Sequence, residues 1–471
     1  MKIMLPECGL TIEAKPGSRL YDALRQAGVI FDAPCGGNGT CFKCKVKVKP
    51  AGECAVSKKR LSKADYEDGF RLACYYKPIG DIVISIQEGG GTNSNSVCRP
   101  LGQIVALDIG TTTIALEAYD DKGKTVHSAY FVNPQKVYGA DVISRINACK
   151  EDLKNITSLR GLLLDSLKPH TCGAKKVVVA ANTAMLHIFA GIDPTPIGVA
   201  PYKAVFTERR EITHNQCVFE LLPSAGAFIG ADITAGIISS GMYHDAGNVL
   251  LVDLGTNGEI VLKSKEKYYG ASAAAGPAFE GGNISCGSYA SGTAVASAVL
   301  KGKNILLDKP ESNSICGAGL IDLVACLLQR GDIEESGAIK DGSDNITVGG
   351  IVLTNKDIRE VQLAKAAINA TIQMLIKAAG LTIDDLDKVY LAGGLGQGLN
   401  PKSAERIGLL PKGLASKTVA VGNSSLKGAA MCAKDGSLLE VADKTASSIK
   451  IIELTQNAEF FNLYIEAMFF E

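Results

Sequence analysis

The sequence predicts an α/β protein in two parts: a small N-terminal α+β domain, then a larger region in which strands alternate with helices. Three observations support this prediction. Residues 1–88 hold a loop rich in cysteine and glycine, residues 89–96 read GGGTNSNS, and a strand–turn–strand phrase occurs twice after residue 103. A chain of 471 residues is long enough to bury a sizeable core in each part.

The N-terminal domain shows both helical and strand periodicity. Residues 18–27 (SRLYDALRQA) place apolar side chains at helical spacing, residues 45–49 alternate Lys and Val, and residues 81–86 (DIVISI) read as another strand. The polar stretch that follows has the composition of a flexible linker. We therefore expect a domain at 1–88, a linker at 89–102 and the second region at 103–471.

Four cysteines of the first domain have the spacing Cys-x5-Cys-x2-Cys, then about thirty residues, then Cys: Cys35, Cys41, Cys44 and Cys74. This is close to the plant-type 2Fe–2S spacing, with one extra residue in the first gap. The intervening glycines allow a sharp bend and close approach of backbone N–H groups to sulfur. A zinc site would more often show two Cys-x2-Cys pairs, and here only one is present. The pattern predicts a 2Fe–2S cluster in a ferredoxin-like β-grasp domain.

The overall composition excludes several function classes. The chain has 49 Lys and Arg against 49 Asp and Glu, so no global field attracts nucleic acid or an acidic membrane. No apolar run reaches the length of a membrane span, and the N-terminus does not resemble a signal peptide. Fourteen cysteines without a secretion signal favour a reducing cytoplasm.

The second region contains an internal repeat. Residues 107–113 read LDIGTTT and residues 252–258 read VDLGTNG, about 145 residues apart, and apolar runs flank both phrases. Each is predicted to be a hairpin turn between two strands, so we expect two homologous subdomains that face each other. Glycine in such a turn lets backbone N–H groups point at phosphate, and Thr111, Thr112 and Thr256 can add hydroxyl donors.

The two aspartates of these turns have a different predicted role. Asp108 and Asp253 would repel phosphate unless a cation lies between them, so they are expected to hold Mg²⁺ or its waters during phosphoryl transfer. The alternative is that each is an ordinary Asp-Gly hairpin turn, and the repetition argues against that alternative. Among other polar residues, Asn182, Glu280 and Asn283 could face the ligand, whereas His187 lies on an apolar helix and is expected to be a core residue.

A third glycine-rich phrase, VYLAGGLGQGLN at 389–400, follows an apolar strand. Consecutive glycines there, Gly393 and Gly394, would allow close approach of a flat ligand such as adenine with its ribose. The order of the three phrases resembles the superfamily of actin, sugar kinases and chaperone ATPases, in which two phosphate turns precede an adenosine loop. The resemblance implies an actin-like two-subdomain ATPase, with connecting helices at 230–240 and 422–432, whose small residues permit close packing.

A 2Fe–2S domain ahead of such an ATPase resembles the reductive activators of corrinoid proteins. The phrases that carry this resemblance are PCGGNGTC with RLAC, LDIGTTT, VDLGTNGEIVL, AAGPAFEGGNIS, KDIREVQLAKAAI and VYLAGGLG. It implies that the four cysteines are the cluster ligands and that the turns bind ATP and Mg²⁺, with Asp108 and Asp253 as catalytic residues. The nucleotide-binding candidates are Gly110, Thr111, Thr112, Thr113, Gly255, Thr256, Asn257, Gly258, Gly393 and Gly394.

The resemblance also implies a function. These activators use ATP to drive one electron onto Co(II) corrinoid, which restores the Co(I) nucleophile of a methyltransferase system in anaerobic metabolism. The implied partners are a corrinoid protein and a low-potential electron donor, and a homodimer stays open. Family members also carry a middle domain, which we expect to be missing here because only about fourteen residues separate the two parts. Alternatives are an activator of another low-potential metalloenzyme and a small-molecule kinase with a redox-sensing domain.

Overall fold

The computed structural model describes residues 1–6, 10–27, 29, 31, 33, 37, 39, 42, 44–86, 103–255, 257–290, 292–396, 398–455 and 457–470. The chain divides into two compact units, 1–221 and 222–471. The expected linker at 89–102 lies wholly outside the described residues, as do Cys35, Cys41 and Thr256. Among the helices of the described part, none has the length and apolar character needed to cross a membrane.

The first unit begins with a five-stranded mixed sheet in the order β2-β1-β5-β3-β4, in which β1 and β5 are parallel. Apolar side chains of helix α1 and of the sheet form its core, among them Leu20, Leu24, Val46 and Ile84. The elements predicted at 18–27, 45–49 and 81–86 are all present. Their bounds are β1 Lys2–Leu5, β2 Leu10–Glu13, α1 Leu20–Gln26, β3 Lys45–Lys49, α2 Ala55–Arg60, α3 Lys63–Glu67, β4 Phe70–Leu72 and β5 Ile82–Ser85.

The rest of the first unit is built on a six-stranded sheet in the order β10-β11-β9-β6-β7-β8. Strands β6, β7 and β8 are antiparallel neighbours, whereas β9 runs parallel to both β6 and β11. The bounds are β6 Ile104–Ile109, β7 Thr113–Tyr119, β8 Thr125–Val132, α4 Val142–Glu151, α5 Lys154–Thr171, β9 Lys176–Ala181, α6 Thr183–Ala190, α7 Thr195–Gly198, β10 Arg210–His214 and β11 Cys217–Leu221.

The second unit has its own six-stranded sheet, in the order β20-β19-β12-β13-β14-β21, and two short hairpins. The bounds are α8 Ala231–Ser240, β12 Val249–Leu254, β13 Gly258–Ser264, β14 Lys267–Ala273, β15 Ala298–Lys301, β16 Asn304–Leu307, α9 Gly317–Arg330, β17 Asn345–Val348, β18 Ile351–Thr354, α10 Asn355–Ala378, β19 Lys388–Ala392, α11 Gly393–Gly396, α12 Pro401–Arg406, β20 Thr418–Gly422, α13 Ser424–Lys434, α14 Ser437–Ser448, β21 Ile449–Ile451 and α15 Ala458–Glu466.

The two larger sheets repeat one topology. Each contains three consecutive antiparallel strands, which are β6, β7 and β8 in one sheet and β12, β13 and β14 in the other. Two parallel strands lie on the other side of the first of these: β9 and β11 beside β6, and β19 and β20 beside β12. The repeated phrases occupy equivalent turns, between β6 and β7 in one sheet and between β12 and β13 in the other. The internal repeat in the sequence therefore corresponds to a duplicated sheet.

Helices α8 and α13 pack closely through small residues, as their composition predicts. A Cβ placed on Gly428 would lie 2.0 Å from the backbone oxygen of Ala235, and one on Gly236 would lie 3.0 Å from the hydroxyl of Ser424. The hydroxyl of Ser239 also donates to the backbone oxygen of Ser424, over 2.7 Å. The backbone of Ala235 therefore leaves no room for a side chain at Gly428, and the space at Gly236 is tight.

Candidate iron–sulfur and nucleotide sites

Two of the four predicted cluster ligands lie within the described residues, and they converge. The Sγ atoms of Cys44 and Cys74 are 3.2 Å apart, and both side chains are buried. The N–H group of Cys74 points at the Cys44 sulfur over 3.5 Å. Two buried thiols that meet beside a backbone donor fit the ligand set of an iron–sulfur cluster.

The glycine-rich loop fits the same purpose. Gly37 and Gly39 have φ values of +85° and +75°, which L-residues with side chains rarely adopt. A Cβ on Gly37 would lie 2.4 Å from the ring of Tyr21, and one on Gly39 would lie 2.4 Å from the hydroxyl oxygen of Tyr75. Tyr75 also donates to the backbone oxygen of Gly39 over 3.0 Å. Both glycines are therefore required by backbone conformation and by the tyrosines packed against them.

The first phosphate turn, residues 108–113, is held by side chains from three other segments. Asn133 Nδ2 donates to the backbone oxygen of Gly110 over 2.8 Å, and Asn182 Nδ2 donates to the Thr111 hydroxyl over 3.1 Å. Arg145 Nη2 donates to the backbone oxygen of Thr111 over 2.5 Å. The sequence indicated Asn182, whereas Asn133 and Arg145 stand in no motif.

Arg145 is the largest of the fully buried side chains. Burial lowers the pKa of its guanidinium to about 9, so the group remains charged at neutral pH. An arginine in the core is tolerated when its donors are satisfied by acceptors. Here one acceptor, the backbone oxygen of Thr111, lies in the turn, and the others are Gln135 Oε1, the backbone oxygen of Gly139 and Met185 Sδ.

The turn predicted to bind phosphate at 253–258 and the glycine-rich loop predicted to bind adenosine at 389–400 meet within the second unit. Asp253 is the last residue but one of β12, and Gly393 begins the segment after β19, the parallel neighbour of β12. Gly393 has a φ of +86°, and a Cβ there would lie 2.6 Å from Asp253 Oδ1. Gly394 is exposed, and no described atom lies within 4 Å of its would-be Cβ. The fold thus brings together two phrases that are about 140 residues apart.

Two further carboxylates accompany Asp253, and the sequence analysis missed both. Glu259 is its cross-strand neighbour in the hairpin, and Asp232 lies in the first turn of α8. Burial raises the pKa of Glu259 well above its usual range, and the charges of Asp232 and Asp253 raise it further. The three carboxylates are near enough to affect one another's charge, but among the residues that the structure describes no three such side chains lie close enough together to hold a metal ion. The available signal was the Glu that directly follows VDLGTNG.

Two other polar residues that the sequence singled out have partners in the structure. His187 is fully buried, with Nδ1 2.7 Å from the backbone oxygen of Thr183 and Nε2 accepting from the N–H of Val205 over 3.0 Å. It is therefore a packed core histidine, as predicted. Asn283 Nδ2 contacts Glu360 Oε2 over 3.4 Å.

Comparison with known proteins agrees with this fold. Three family models match consecutive parts of the chain: "2Fe-2S iron-sulfur cluster binding domain" at 5–78, "RACo middle region" at 103–245 and "C-terminal domain of RACo the ASKHA domain" at 247–471. The expectation that the middle domain is missing is therefore wrong. The segment 103–245 carries a sheet of the same topology as the ATPase sheet that follows it, so its motifs were assigned to the ATPase.

Relatives and a solved structure extend the match over the whole chain. "Corrinoid activation enzyme RamQ" of Eubacterium limosum is 25% identical over 99% of this chain and 98% of its own length. "[Co(II) methylated amine-specific corrinoid protein] reductase" of Methanosarcina barkeri is 26% identical over 68% of each chain. The solved "Reductive activator for corrinoid,iron-sulfur protein" has a TM-score of 0.69 at 25% identity and covers 100% of this chain and 98% of its own. This chain belongs to the family of reductive activators of corrinoid proteins, which join a 2Fe–2S ferredoxin-type domain to an actin-like ATPase domain.

Proposed function

We propose that this chain is an enzyme that uses ATP hydrolysis to deliver one electron to the Co(II) corrinoid of a partner protein, which regenerates Co(I) for methyl transfer. The observation that carries the proposal is that one chain holds both a pair of converging cluster-ligand thiols and a duplicated Asp-x-Gly-Thr turn. The names of the relatives supply the class of partner, a corrinoid protein.

The need for ATP follows from the potentials. Plant-type 2Fe–2S centres lie near about −400 mV, and the Co(II)/Co(I) couple is expected to lie lower still. For one electron, each step of about 59 mV uphill is a tenfold penalty. A nucleotide can shift the equilibrium only if the loaded chain binds the two cobalt states with different affinity. ATP hydrolysis would then reset the chain after each electron.

We assign the residues as follows. Cys35, Cys41, Cys44 and Cys74 would hold the 2Fe–2S cluster, which when bound supplies a one-electron carrier. The turns 108–113 and 253–258, together with Gly393 and Gly394, would take part in ATP binding. Asp108 and Asp253 would bind Mg²⁺ directly or through water.

We further propose the domain limits 1–88, 89–102 and 103–471, with residues 89–102 acting as a tether for the ferredoxin domain. Its glycine, serine and asparagine content suits a flexible chain. The fourteen cysteines suit a reducing cytoplasm, and a low-potential protein would supply the electron.

The test is anaerobic reduction of a corrinoid protein followed by absorbance. With a chemical reductant, Mg²⁺ and ATP, the wild-type chain should convert Co(II) to Co(I), and omission of ATP should stop the conversion. Asp253→Asn should cut ATP turnover by about a hundredfold or more, because the metal that offsets phosphate charge is misplaced. The cluster spectrum should be unchanged.

Asp435→Asn is the matched control, because Asp435 is an exposed carboxylate in the same unit that bonds to Ser437 at the start of a helix. It should behave as the wild type. Co(I) formation at the same rate without ATP would contradict the proposal. Phosphorylation of a small molecule in preference to ATP hydrolysis would favour the kinase alternative.

A further inference from the structure

A short 3₁₀ helix, Pro134–Tyr138, lies between the ferredoxin domain and the first phosphate turn. On its ferredoxin side, the hydroxyl of Tyr21 donates to the backbone oxygen of Val137. The guanidinium of Arg25 lies 4.9 Å from the ring centroid of Tyr138 and 5.7 Å from that of Tyr21. Tyr21 and Val137 have no exposed surface, so this contact excludes water.

Tyr21 also supports the cluster loop. Its N–H donates to the backbone oxygen of Ala73, the residue before Cys74, over 3.0 Å. Its ring occupies the space in which a side chain on Gly37 would lie. One residue therefore contacts both cluster-ligand segments through its backbone and ring, and contacts the 3₁₀ helix through its hydroxyl.

On its other side, the 3₁₀ helix is joined to the phosphate turn. Asn133, directly before the helix, donates its N–H to Thr112 O over 2.9 Å and its Nδ2 to Gly110 O over 2.8 Å. Arg145 donates to three oxygen atoms, Gln135 Oε1 at 3.2 Å, Gly139 O at 3.1 Å and Thr111 O at 2.5 Å, and also to Met185 Sδ at 3.3 Å. Both side chains are fully buried, so these bonds are not open to replacement by water.

We propose that the 3₁₀ helix couples the two sites: docking of the ferredoxin domain through Tyr21 and Arg25 stabilises the conformation of the phosphate turn that binds nucleotide, and Arg145 is the positioning residue that links them. The inference rests on the proposed nucleotide binding at 108–113. Because coupling between two binding equilibria is reciprocal, nucleotide at the turn must also strengthen docking of the ferredoxin domain.

The first test is the affinity of the intact, cluster-loaded chain for a non-hydrolysable ATP analogue with Mg²⁺, measured by titration calorimetry without oxygen. Tyr21→Phe keeps the ring on Gly37 and removes only the hydroxyl, and it should weaken nucleotide binding about 3- to 5-fold, the effect of one lost hydrogen bond. Arg145→Lys cannot bond all three oxygen atoms and should weaken binding about tenfold or more. Iron content and the visible spectrum should stay as in the wild type.

Tyr75→Phe is the matched control. Like Tyr21→Phe, it removes a tyrosine hydroxyl that donates to a backbone oxygen. Its acceptor, however, is the backbone oxygen of Gly39, so the lost bond lies wholly within the ferredoxin domain. It should bind nucleotide as the wild type does. A second measurement tests reciprocity: the analogue should slow amide hydrogen exchange in segment 19–26 of the wild type, and should do so much less in Tyr21→Phe.

The outcomes separate this inference from the proposed function. If the wild type binds no nucleotide, the proposed function fails. If the wild type binds nucleotide, and Tyr21→Phe binds it equally well with the same exchange pattern, the proposed function stands and the coupling is refuted. An equal loss in Tyr75→Phe would also refute it, because the loss would then reflect a general disturbance of the cluster loop.

Discussion

The crossing of helices α8 and α13 gives a sharp prediction for Gly428→Ala. The added methyl carbon would lie 2.0 Å from the backbone oxygen of Ala235 and 2.5 Å from its carbonyl carbon. Ordinary van der Waals contacts are well above 3 Å, so the helices must separate by about an ångström at this point. Because the obstacle is backbone, no side-chain rotation relieves it. Overpacking of this kind costs about 1–3 kcal/mol, and we expect the upper end.

The matched substitution is Gly436→Ala, between α13 and α14. No described atom lies within 4 Å of its would-be Cβ, and its φ of −63° suits alanine. Replacing such a glycine reduces the entropy of the unfolded chain and should stabilise the protein by roughly 0.4–1 kcal/mol. The two substitutions are chemically identical and eight positions apart, so they should shift stability in opposite directions.

The assay is thermal unfolding followed by calorimetry, with the transition of the second unit resolved from that of the first. For a unit of this size, about 1 kcal/mol shifts Tm by roughly 2–4 °C. Gly428→Ala should therefore lower Tm by about 6–12 °C, and Gly436→Ala should raise it by a degree or more. If Gly428→Ala unfolds at the wild-type temperature, the close approach of the two helices is not a feature of the folded protein.

Two further predictions concern the first unit. Cys74→Ala should abolish the iron content and EPR signal of the reduced protein, whereas Cys54→Ala should keep both; stoichiometric zinc in place of iron would contradict the cluster assignment. Burial alone would raise the pKa of Glu220, but its ion pairs with Lys176 and Arg209 outweigh burial and lower it. The stability from this group is therefore present above the usual glutamate pKa and lost as pH falls below it. Glu220→Gln should destabilise the protein at neutral pH by about 3 kcal/mol. It should also make Tm fall less steeply as the pH is lowered. If Tm of the variant falls with pH as steeply as that of the wild type, the ion pairs of Glu220 do not stabilise the protein.

Local patterns were sufficient to predict the parts of this protein that short segments determine. The spacing of the cysteines, the alternation at 45–49 and the two repeated phrases each act through neighbouring residues. The strands, the hairpin turns and the two classes of ligand therefore followed from the sequence. The sequence also indicated where glycine is required, although the structural requirement differs between positions. Gly37 has a positive φ beside Tyr21, whereas Gly428 must lack a side chain because two helices cross there.

By itself, then, the sequence determined the elements, the duplicated plan and the chemistry of the two sites, because each of these depends on a few adjacent residues. Only the tertiary structure decided which distant residues lie against the candidate sites. Asp232 and Glu259 come to Asp253 through helix and strand packing, and Arg145 reaches Thr111 across the core. No periodicity marks such residues, because a buried charge is stabilised by partners that only the folded chain brings within hydrogen-bonding distance.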